Sequence, residues 1–433
     1  MTPAARISAA IEVLGDIGAM RRPAADALKE WGLKHRFAGS SDRAAIAGLV
    51  YDSLRRRASA MHVMGEETPR ATILGMLRLE RELDVAAIAA LFDGARFAPA
   101  PLTEPERARL TFMDLSDAPP HVRGDYPDWL DDSLARVFGD ERREEGAALA
   151  SRAPLDLRVN TLNATREEAI AALPDLAAAP TRWSPVGLRV PLHPDSKAPA
   201  IHAEPAFIKG QIEIQDEGSQ LAALLSAAQP GEQVVDLCAG GGGKTLALAA
   251  MMQGKGQIFA TDSDKRRLAP IHERLARAGV RNVQVRTPEK GRDALGDLGG
   301  SIDLVLIDAP CTGTGSWRRN PDAKWRLRPG ALDIRRKEQA AVLERAVPLL
   351  RPGGRIAYIT CSVLDEENGE PVRAFLVRHP DFAIESPAEV AARLGERALV
   401  FQRAVRMSEE GLLMTPLRTG TDGFFVSVMR RNS

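Results

Sequence analysis

The feature that most constrains the fold is a regular alternation, after Gln215, of short apolar runs with longer amphipathic stretches. The runs have the length of strands, and the stretches between them have the length of helices. We expect strands over 233–237, 257–261, 283–285, 304–307 and 355–359, and helices over 245–252, 265–278 and 331–350. This order predicts a mostly parallel sheet covered by helices on both faces. Two final apolar runs, 412–416 and 423–429, predict an antiparallel hairpin at the sheet edge.

The residues before this alternation have a different character. Apolar residues recur at helical spacing from Ile46 to Leu54 and are followed by three arginines. Shorter helical patterns cover 4–20, 71–81, 85–92 and 129–138. Strand-like runs at 155–162 and 188–191 flank a predicted capping box at Thr165 and Glu168. We therefore expect a helical domain over 1–140, a small α+β RNA-binding segment over 141–210 and an α/β catalytic domain over 211–433.

Composition restricts the class of protein and its partners. The chain has 433 residues with 58 basic and 58 acidic side chains, which argues against a basic coat for non-specific nucleic-acid binding. Any nucleic acid must therefore be bound by local patches. The three cysteines form no Cys-x-x-Cys pair, so we expect no metal site and no disulfide framework. No apolar stretch is long enough to cross a bilayer, and we expect a cytoplasmic monomer without a membrane partner.

Two of the cysteines stand where a strand is predicted to end. Cys311 closely follows the run 304–307, with Asp308 between them, and Cys361 follows the run 355–359. The carboxyl edge of an open α/β sheet is where ligands bind. One cysteine at such a place is as consistent with packing as with reactivity. Two of them, one close to an acid, favour a reactive role.

A run of four glycines, residues 240–243, lies between the first predicted strand of the α/β domain and the following helix. Such glycines allow a ligand to approach the backbone and the helix N-terminus closely. Gly243-Lys244-Thr245 fits the end of a phosphate-binding P-loop, but Cys238 stands where the first glycine of that motif belongs. Asp262, at the end of the second strand, is placed to accept hydrogen bonds from ribose hydroxyls. This acid favours S-adenosylmethionine or a dinucleotide over the phosphates of ATP.

Three motifs in one order make the sequence recognisable. They are Asp-x-Cys-Ala-x-x-Gly-Gly-Lys-Thr from Asp236, Asp-Ala-Pro-Cys-Thr-Gly-Thr-Gly from Asp308 and Thr-Cys-Ser-Val-Leu-x-Glu-Glu-Asn from Thr360. From about residue 154 onward the chain resembles the RNA cytosine-C5 methyltransferases of the Nol/Nop/Sun family, and is most similar to their bacterial 16S ribosomal RNA members. The resemblance implies a class I S-adenosylmethionine-dependent methyltransferase with a Rossmann-like domain. The helical N-terminus is similar to a shortened NusB-like RNA-binding domain.

The resemblance also implies roles for individual residues. Cys361 would add to C6 of the target cytosine, and Cys311 would assist release of the methylated base. Asp308 would hydrogen-bond the N3 edge of the cytosine and lie near the methyl donor, and Asp262 would bind the cofactor ribose. The other cofactor-binding residues would form the loop around the methionine and ribose: Cys238, Ala239, Gly240, Gly241, Gly242, Gly243 and Lys244.

Two positions depart from the family pattern. Gly240-Gly241 stands where Ala-Pro is usual, so ordering of this loop should cost more entropy. No Asp follows the third strand where an adenine contact is usual, and Glu289 is the candidate substitute. Directly after Cys311, residues 317–328 hold five cations and two tryptophans. The composition fits a loop pinned by buried Trp equally well, but its position favours an RNA contact.

These features predict transfer of a methyl group to C5 of cytosine in RNA through a covalent Cys–C6 adduct, with 16S ribosomal RNA as the expected substrate. The cytosine must leave its stack, because the enzyme needs access to C5 and C6 from both faces of the ring. Three alternatives remain open: the same reaction on transfer RNA, a P-loop-like nucleotide hydrolase, and a catalytically idle RNA-binding scaffold.

Overall fold

The computed structural model describes residues 1–192, 199–289, 291 and 293–433. The chain separates into two compact units. The first unit contains Met1–Arg152 together with Trp317–Arg328. The second contains, among the described residues, 153–192, 199–316 and 329–433. No helix in the described ranges is long and apolar enough to span a membrane.

The first unit is built from α-helices, several of which begin at a capping threonine. Thr2 and Thr68 each accept a hydrogen bond from a backbone N–H of the first turn, and Thr103 forms a capping box with Glu106. Ile46 and Val50, on the predicted apolar face, lie in the buried core of this unit. Its helices in the N-terminal part are α1 Pro3–Met20, α2 Ala24–Lys34, α3 Ser40–Arg55, α4 Arg57–Met64, α5 Pro69–Leu79, α6 Val85–Leu91, α7 Glu104–Thr111, α8 Pro120–Arg123, α9 Asp131–Phe138 and α10 Arg142–Ala150.

The segment 317–328 packs within this helical unit and contains the short helix α17, Pro321–Arg326. Trp317 and Lys324 are each only 1% exposed. Lys324 Nζ donates to the carbonyl oxygens of Arg55, at 3.0 Å, and of Asp125. Burial lowers the pKa of Lys324 to about 7. The packing interpretation therefore accounts for Trp317 and Lys324, whereas Arg326 and Arg328 are exposed.

The second unit begins with a small antiparallel sheet of order β2-β3-β1-β4. Leu157 in the central strand β1 pairs with Leu188 on one side and Ile214 on the other. The predicted capping box is present, since Thr165 and Glu168 exchange hydrogen bonds at the start of the next helix. The elements of this region are β1 Leu155–Val159, α11 Arg166–Ala171, β2 Ala179–Pro180, β3 Gly187–Val190, α12 Pro205–Ile208, β4 Ile212–Ile214 and α13 Glu217–Leu225.

A nine-stranded sheet forms the centre of the second unit, in the order β11-β12-β13-β9-β8-β5-β6-β7, with β10 paired to β13. The strands β5 to β9 run parallel, and β10 to β13 add antiparallel pairs beside β9. The mostly parallel sheet and its antiparallel C-terminal hairpin were both predicted. The strands are β5 Gln233–Asp236, β6 Gln257–Ala260, β7 Val283–Val285, β8 Ile302–Asp308, β9 Leu350–Thr360, β10 Phe382–Ile384, β11 Arg406–Met407, β12 Leu412–Met414 and β13 Phe424–Arg431.

The helices of this sheet differ from the sequence prediction in two places. The expected helix over 265–278 is divided at Pro270, which the second segment uses as its N-cap. The C-terminal hairpin carries a short helix between its two strands, capped by Thr415. The helices are α14 Gly243–Met251, α15 Lys265–Leu268, α16 Ile271–Ala278, α18 Pro329–Ala346, α19 Gly369–Arg378, α20 Pro387–Ala392, α21 Ala398–Ala404 and α22 Pro416–Thr419.

Candidate active site

Two cysteine thiols meet at the carboxyl edge of the large sheet. Strands β8 and β9 are parallel neighbours, and their pairing sets Asp308 opposite Ile359. Each strand ends in a turn that carries a cysteine, and Cys311 Sγ lies 3.4 Å from Cys361 Sγ. Gly315 N–H donates to the carbonyl oxygen of Cys361 at 2.9 Å, which ties the two turns together. The fold therefore brings together the two cysteines that are 50 positions apart in sequence.

The two cysteine turns are held by adjacent residues, Glu367 and Asn368. Glu367, fully buried, accepts a hydrogen bond from the backbone N–H of Thr312 at 2.8 Å and another from its hydroxyl. Asn368 accepts from the hydroxyl of Thr360 and donates to the carbonyl oxygen of Ser362 at 3.0 Å. Thr360 and Ser362 flank Cys361 in the sequence. Glu367 thus fixes the Cys311 turn, and Asn368 fixes the Cys361 turn.

The surroundings of Cys311 keep its thiol protonated. Its hydrogen bond with Cys361, together with burial, raises the pKa of Cys311 well above its usual value. Burial also raises the pKa of Glu367 beside it. A neutral Cys311 can donate its S–H to the Cys361 sulfur, a contact that becomes more favourable when Cys361 carries negative charge.

Asp308, the last residue of β8, forms an ion pair with Lys244. Lys244 Nζ lies 2.7 Å from Asp308 Oδ2 and 5.1 Å from the centre of the Phe424 ring. The Lys244 side chain is 7% exposed, whereas the Asp308 side chain is 36% exposed. Lys244 therefore orients one carboxylate oxygen of Asp308, and the carboxylate remains accessible to a ligand.

Backbone hydrogen bonds at alternate residues, Gly240 and Gly242, hold the glycine loop. Gly240 N–H donates to Asp262 Oδ2 at 2.9 Å, and Gly242 N–H donates to the carbonyl oxygen of Ala239 at 2.8 Å. The backbone φ is +50° at Gly240 and +81° at Gly242, values that favour glycine. A Cβ at Gly242 would lie 2.5 Å from Ile271, so this position also lacks room for a side chain. Gly242 is the N-cap of helix α14.

The first strand of the large sheet, β5, ends in a buried acid, Asp236, for which the sequence predicted no role. Asp236 Oδ2 accepts a hydrogen bond from the Thr245 hydroxyl at 2.7 Å, and its Oδ1 has no hydrogen-bond partner among the described residues. Burial raises the pKa of Asp236 to about 7. Burial likewise raises the pKa of Cys238, so this third cysteine is a neutral thiol.

Two family models match parts of this chain. Residues 223–430 match the family model described as "16S rRNA methyltransferase RsmB/F", and residues 126–194 match the ferredoxin-like domain of RsmF/B-like methyltransferases. A probable ribosomal RNA small subunit methyltransferase B from Synechocystis sp. is 31% identical over 309 residues, which cover 71% of this chain and 67% of that protein. The chain belongs to the RsmB/F methyltransferase family.

Other RsmB/F relatives show the extent of the similarity. Ribosomal RNA small subunit methyltransferase B from Sodalis glossinidius is 33% identical over 314 residues, covering 71% of this chain and 66% of that protein. The chain thus spans about two thirds of the length of these curated relatives. A solved structure described as PH0851 aligns with 100% of this chain and 99% of its own at 26% identity, with a TM-score of 0.72. The predicted class I methyltransferase fold is confirmed.

The RsmB/F methyltransferases use S-adenosylmethionine, and the residues present fit this cofactor. The glycine loop leads into the N-terminus of a nine-residue helix, α14, which begins at Gly243. Asp262 is 2% exposed and is held by backbone N–H groups, so its carboxylate is fixed at the strand end. A separate surface cavity of about 530 Å³ lies on residues that follow Asp262, which is not among those that line it. Its lining residues are Ser263, Asp264, Lys265, Arg266, Pro288 and Glu289.

Several site residues predicted from the sequence lie close together in the structure, and two further residues of the site were not predicted. The structure brings Cys311 to Cys361, Lys244 to Asp308 and the glycine loop to Asp262. Glu289 lines the surface cavity. The sequence did not assign Glu367 and Asn368, although the polar run after the Cys361 turn was a signal that could have found them.

Proposed function

We propose that this RsmB/F family protein transfers a methyl group from S-adenosylmethionine to C5 of a cytosine in 16S ribosomal RNA. The observation that supports this chemistry best is the pair of thiols, 3.4 Å apart, at the ends of adjacent strands. A thiol pair beside an accessible carboxylate suits a reaction that makes and then breaks a bond between sulfur and a base.

The first step proposed is addition of Cys361 Sγ to C6 of the cytosine, while the thiol proton passes through solvent to N3. Cytosine C5 is too weak a nucleophile to take a methyl group directly, and addition of a thiolate at C6 moves electron density onto C5. Once N3 carries this proton, its N–H donates to the Asp308 carboxylate, which Lys244 orients, so Asp308 stabilises the adduct more than the free base. S-adenosylmethionine, when bound, supplies the methyl group to C5.

The second thiol acts in release. After methyl transfer the C5 proton passes to solvent, and its bonding pair re-forms the double bond between C5 and C6. The bond between C6 and Cys361 Sγ breaks, its electron pair returns to sulfur, and the proton on N3 returns to that thiolate. Cys311 keeps its proton because its pKa is raised, and it donates a hydrogen bond to the departing thiolate. Glu367 and Asn368 hold both turns at the separation that this contact requires.

The substrate is proposed from the relatives, one named ribosomal RNA small subunit methyltransferase B and one named probable ribosomal RNA small subunit methyltransferase B. The target cytosine must leave its stack to enter the site, so it belongs to a loop, bulge or locally opened helix. Transfer RNA is the alternative substrate. Family membership removes support for a P-loop hydrolase, and the assembled thiol pair argues against an idle scaffold.

The proposal is tested by product analysis. The purified protein is incubated with labelled S-adenosylmethionine and unmodified 16S ribosomal RNA, unmodified 23S ribosomal RNA or transfer RNA. The RNA is then digested to nucleosides for mass spectrometry. We expect labelled 5-methylcytidine from 16S RNA alone, and its absence from Cys361→Ala reactions. A labelled nucleoside other than 5-methylcytidine would contradict the chemistry, and label in transfer RNA alone would contradict the substrate.

A further inference from the structure

One arginine contacts both the glycine loop and the small sheet of the second unit. Arg274 lies on α16, and its Nη1 donates to the carbonyl oxygen of Gly241 at 2.7 Å. Its Nη2 donates to Glu213 Oε2, on strand β4, at 3.0 Å. A Cβ at Gly241 would lie 3.3 Å from Arg274 Nη1. The Arg274 guanidinium therefore contacts the loop at Gly241. This residue lies between Gly240, which donates to Asp262, and Gly242, which donates to Ala239.

The position of Arg274 is electrostatically unfavourable unless a partner offsets it. A Cβ at Gly243, the first residue of helix α14, would lie 3.8 Å from Arg274 Nη2. A cation at a helix N-terminus meets the positive end of the helix dipole. Glu213 supplies the compensating charge, since its side chain is only 3% exposed and pairs with both Arg274 and Arg277. Strand β4 itself pairs with β1 through its backbone.

We propose that Arg274 is a positioning residue for the cofactor, and that Glu213 orients it. A loop of four glycines has no side chains to restrict its backbone, and its ordering on ligand binding costs more entropy than that of other loops. Hydrogen bonds from a charged donor are the stronger kind, and this one fixes the Gly241 carbonyl before the cofactor arrives. The loop is thereby preorganised, so the affinity for S-adenosylmethionine depends on Arg274 without direct contact being required.

The proposal rests on S-adenosylmethionine as the cofactor and goes beyond the proposed reaction. It also gives the small sheet a role in cofactor binding, because Glu213, whose carboxylate orients Arg274, belongs to β4. A change of Glu213 should therefore affect cofactor binding although this residue belongs to a different sheet from the loop.

The test measures cofactor binding by calorimetry, without RNA, for wild type, Arg274→Met, Glu213→Gln and Arg277→Met. We expect the Kd for S-adenosylmethionine to rise about tenfold in Arg274→Met and by a smaller factor in Glu213→Gln. Arg277→Met is the matched control, because Arg277 pairs with the same Glu213 and stacks on Phe207 but does not bind the loop. Its Kd should stay within about twofold of wild type.

Two further readouts separate positioning from general packing. Hydrogen exchange of the cofactor-free proteins should show faster exchange at residues 239–243 in Arg274→Met but not in Arg277→Met. In methyl transfer, the KM for S-adenosylmethionine should rise by a larger factor than kcat falls. Arg274→Lys keeps the charge, is expected to fold, and should recover part of the affinity.

An unchanged Kd in Arg274→Met or, if that variant does not fold, in Glu213→Gln would overturn the proposal. An equal loss in Arg277→Met would overturn it as well, because the effect would then follow from packing around Glu213. The binding measurement involves no RNA and no transfer step, so its failure is distinct from a failure of the cytosine chemistry.

Discussion

The buried carboxylate of Glu367 accepts hydrogen bonds from both the backbone N–H and the hydroxyl of Thr312. Thr312 directly follows Cys311, and Gln339 Nε2 donates to the same carboxylate at 3.2 Å. The next residue, Asn368, bridges the two neighbours of Cys361. The separation of the Cys311 and Cys361 sulfurs therefore depends on one pair of consecutive polar residues at the start of helix α19.

Replacement of Glu367 by Gln should impair methyl transfer without weakening cofactor binding. A Gln amide cannot accept at both positions, so a buried donor of Thr312 loses its partner and the Cys311 turn shifts. We expect methyl transfer to fall by about tenfold or more, with an unchanged Kd for S-adenosylmethionine. The control is Glu370→Gln, since Glu370 pairs with Arg336 on the outer side of the helix. Equal rates for Glu367→Gln and wild type would contradict this positioning role.

Loss of Lys244 should act through Asp308. In Lys244→Met the side chain is apolar and one atom shorter, and the carboxylate of Asp308 loses its 2.7 Å ion pair and its fixed orientation. We expect methyl transfer to fall by about 100-fold, the lower end of the range seen when one catalytic hydrogen-bond donor is lost. Single-turnover transfer at saturating S-adenosylmethionine measures this step, and Lys255→Met is the control, since Lys255 is exposed and lies beyond the other end of α14. A Lys244→Met rate within about twofold of wild type would show that Asp308 needs no orienting cation.

The buried acid at the end of β5 should make stability depend on pH. Burial raises the pKa of Asp236 from 3.8 to about 7, so between these values the folded state holds a proton that the unfolded state releases. The free energy of unfolding therefore falls as pH rises through this window and then stays reduced. Asp236→Asn removes the effect and keeps an oxygen that can accept from Thr245. Relative to wild type, the variant should gain on the order of 2–4 kcal/mol between about pH 4 and pH 8.

Calorimetric melting temperatures of wild type and Asp236→Asn across this pH range test the sign. The difference should grow in favour of the variant as pH rises. Asp264 provides a contrast, because its hydrogen bonds to Arg266 lower its pKa. Its contribution is fully present above the ordinary pKa of Asp, 3.8, and is lost only at lower pH, so the difference between Asp264→Asn and wild type should not vary between about pH 4 and pH 8. A difference between Asp236→Asn and wild type that does not vary with pH would contradict an acid of raised pKa.

Much of this site follows from sequence because its residues lie at strand ends. Asp308 and Cys361 each end an apolar run of strand length, and parallel strands place such ends at one edge of a sheet. The adjacency of β8 and β9 was not given by the periodicity, since the chain between them contains a helix of 18 residues. Strand order comes from packing of the whole sheet, which no local pattern encodes.

Other features could not be predicted because they depend on distant partners. Arg274 reads in the sequence as one cation of an amphipathic helix, and only the fold brings it to Gly241, 33 positions away. The segment 317–328 has the composition of a nucleic-acid contact, but Lys324 is buried by contacts with Arg55 and Asp125 in the helical unit. The same residue types thus serve either purpose, and long-range packing decides between them.

The central claim is tested most directly by trapping of the covalent adduct. Wild type, Cys311→Ala and Cys361→Ala are incubated with S-adenosylmethionine and labelled unmodified 16S ribosomal RNA, and denaturing gels then separate protein–RNA bands from free RNA. We expect a protein–RNA band that accumulates in Cys311→Ala, because release of the methylated RNA from Cys361 is slowed. The same band should be absent from Cys361→Ala. A band that persists in Cys361→Ala, or one that is missing from Cys311→Ala while wild type methylates the same RNA, would contradict the assigned roles of the two thiols.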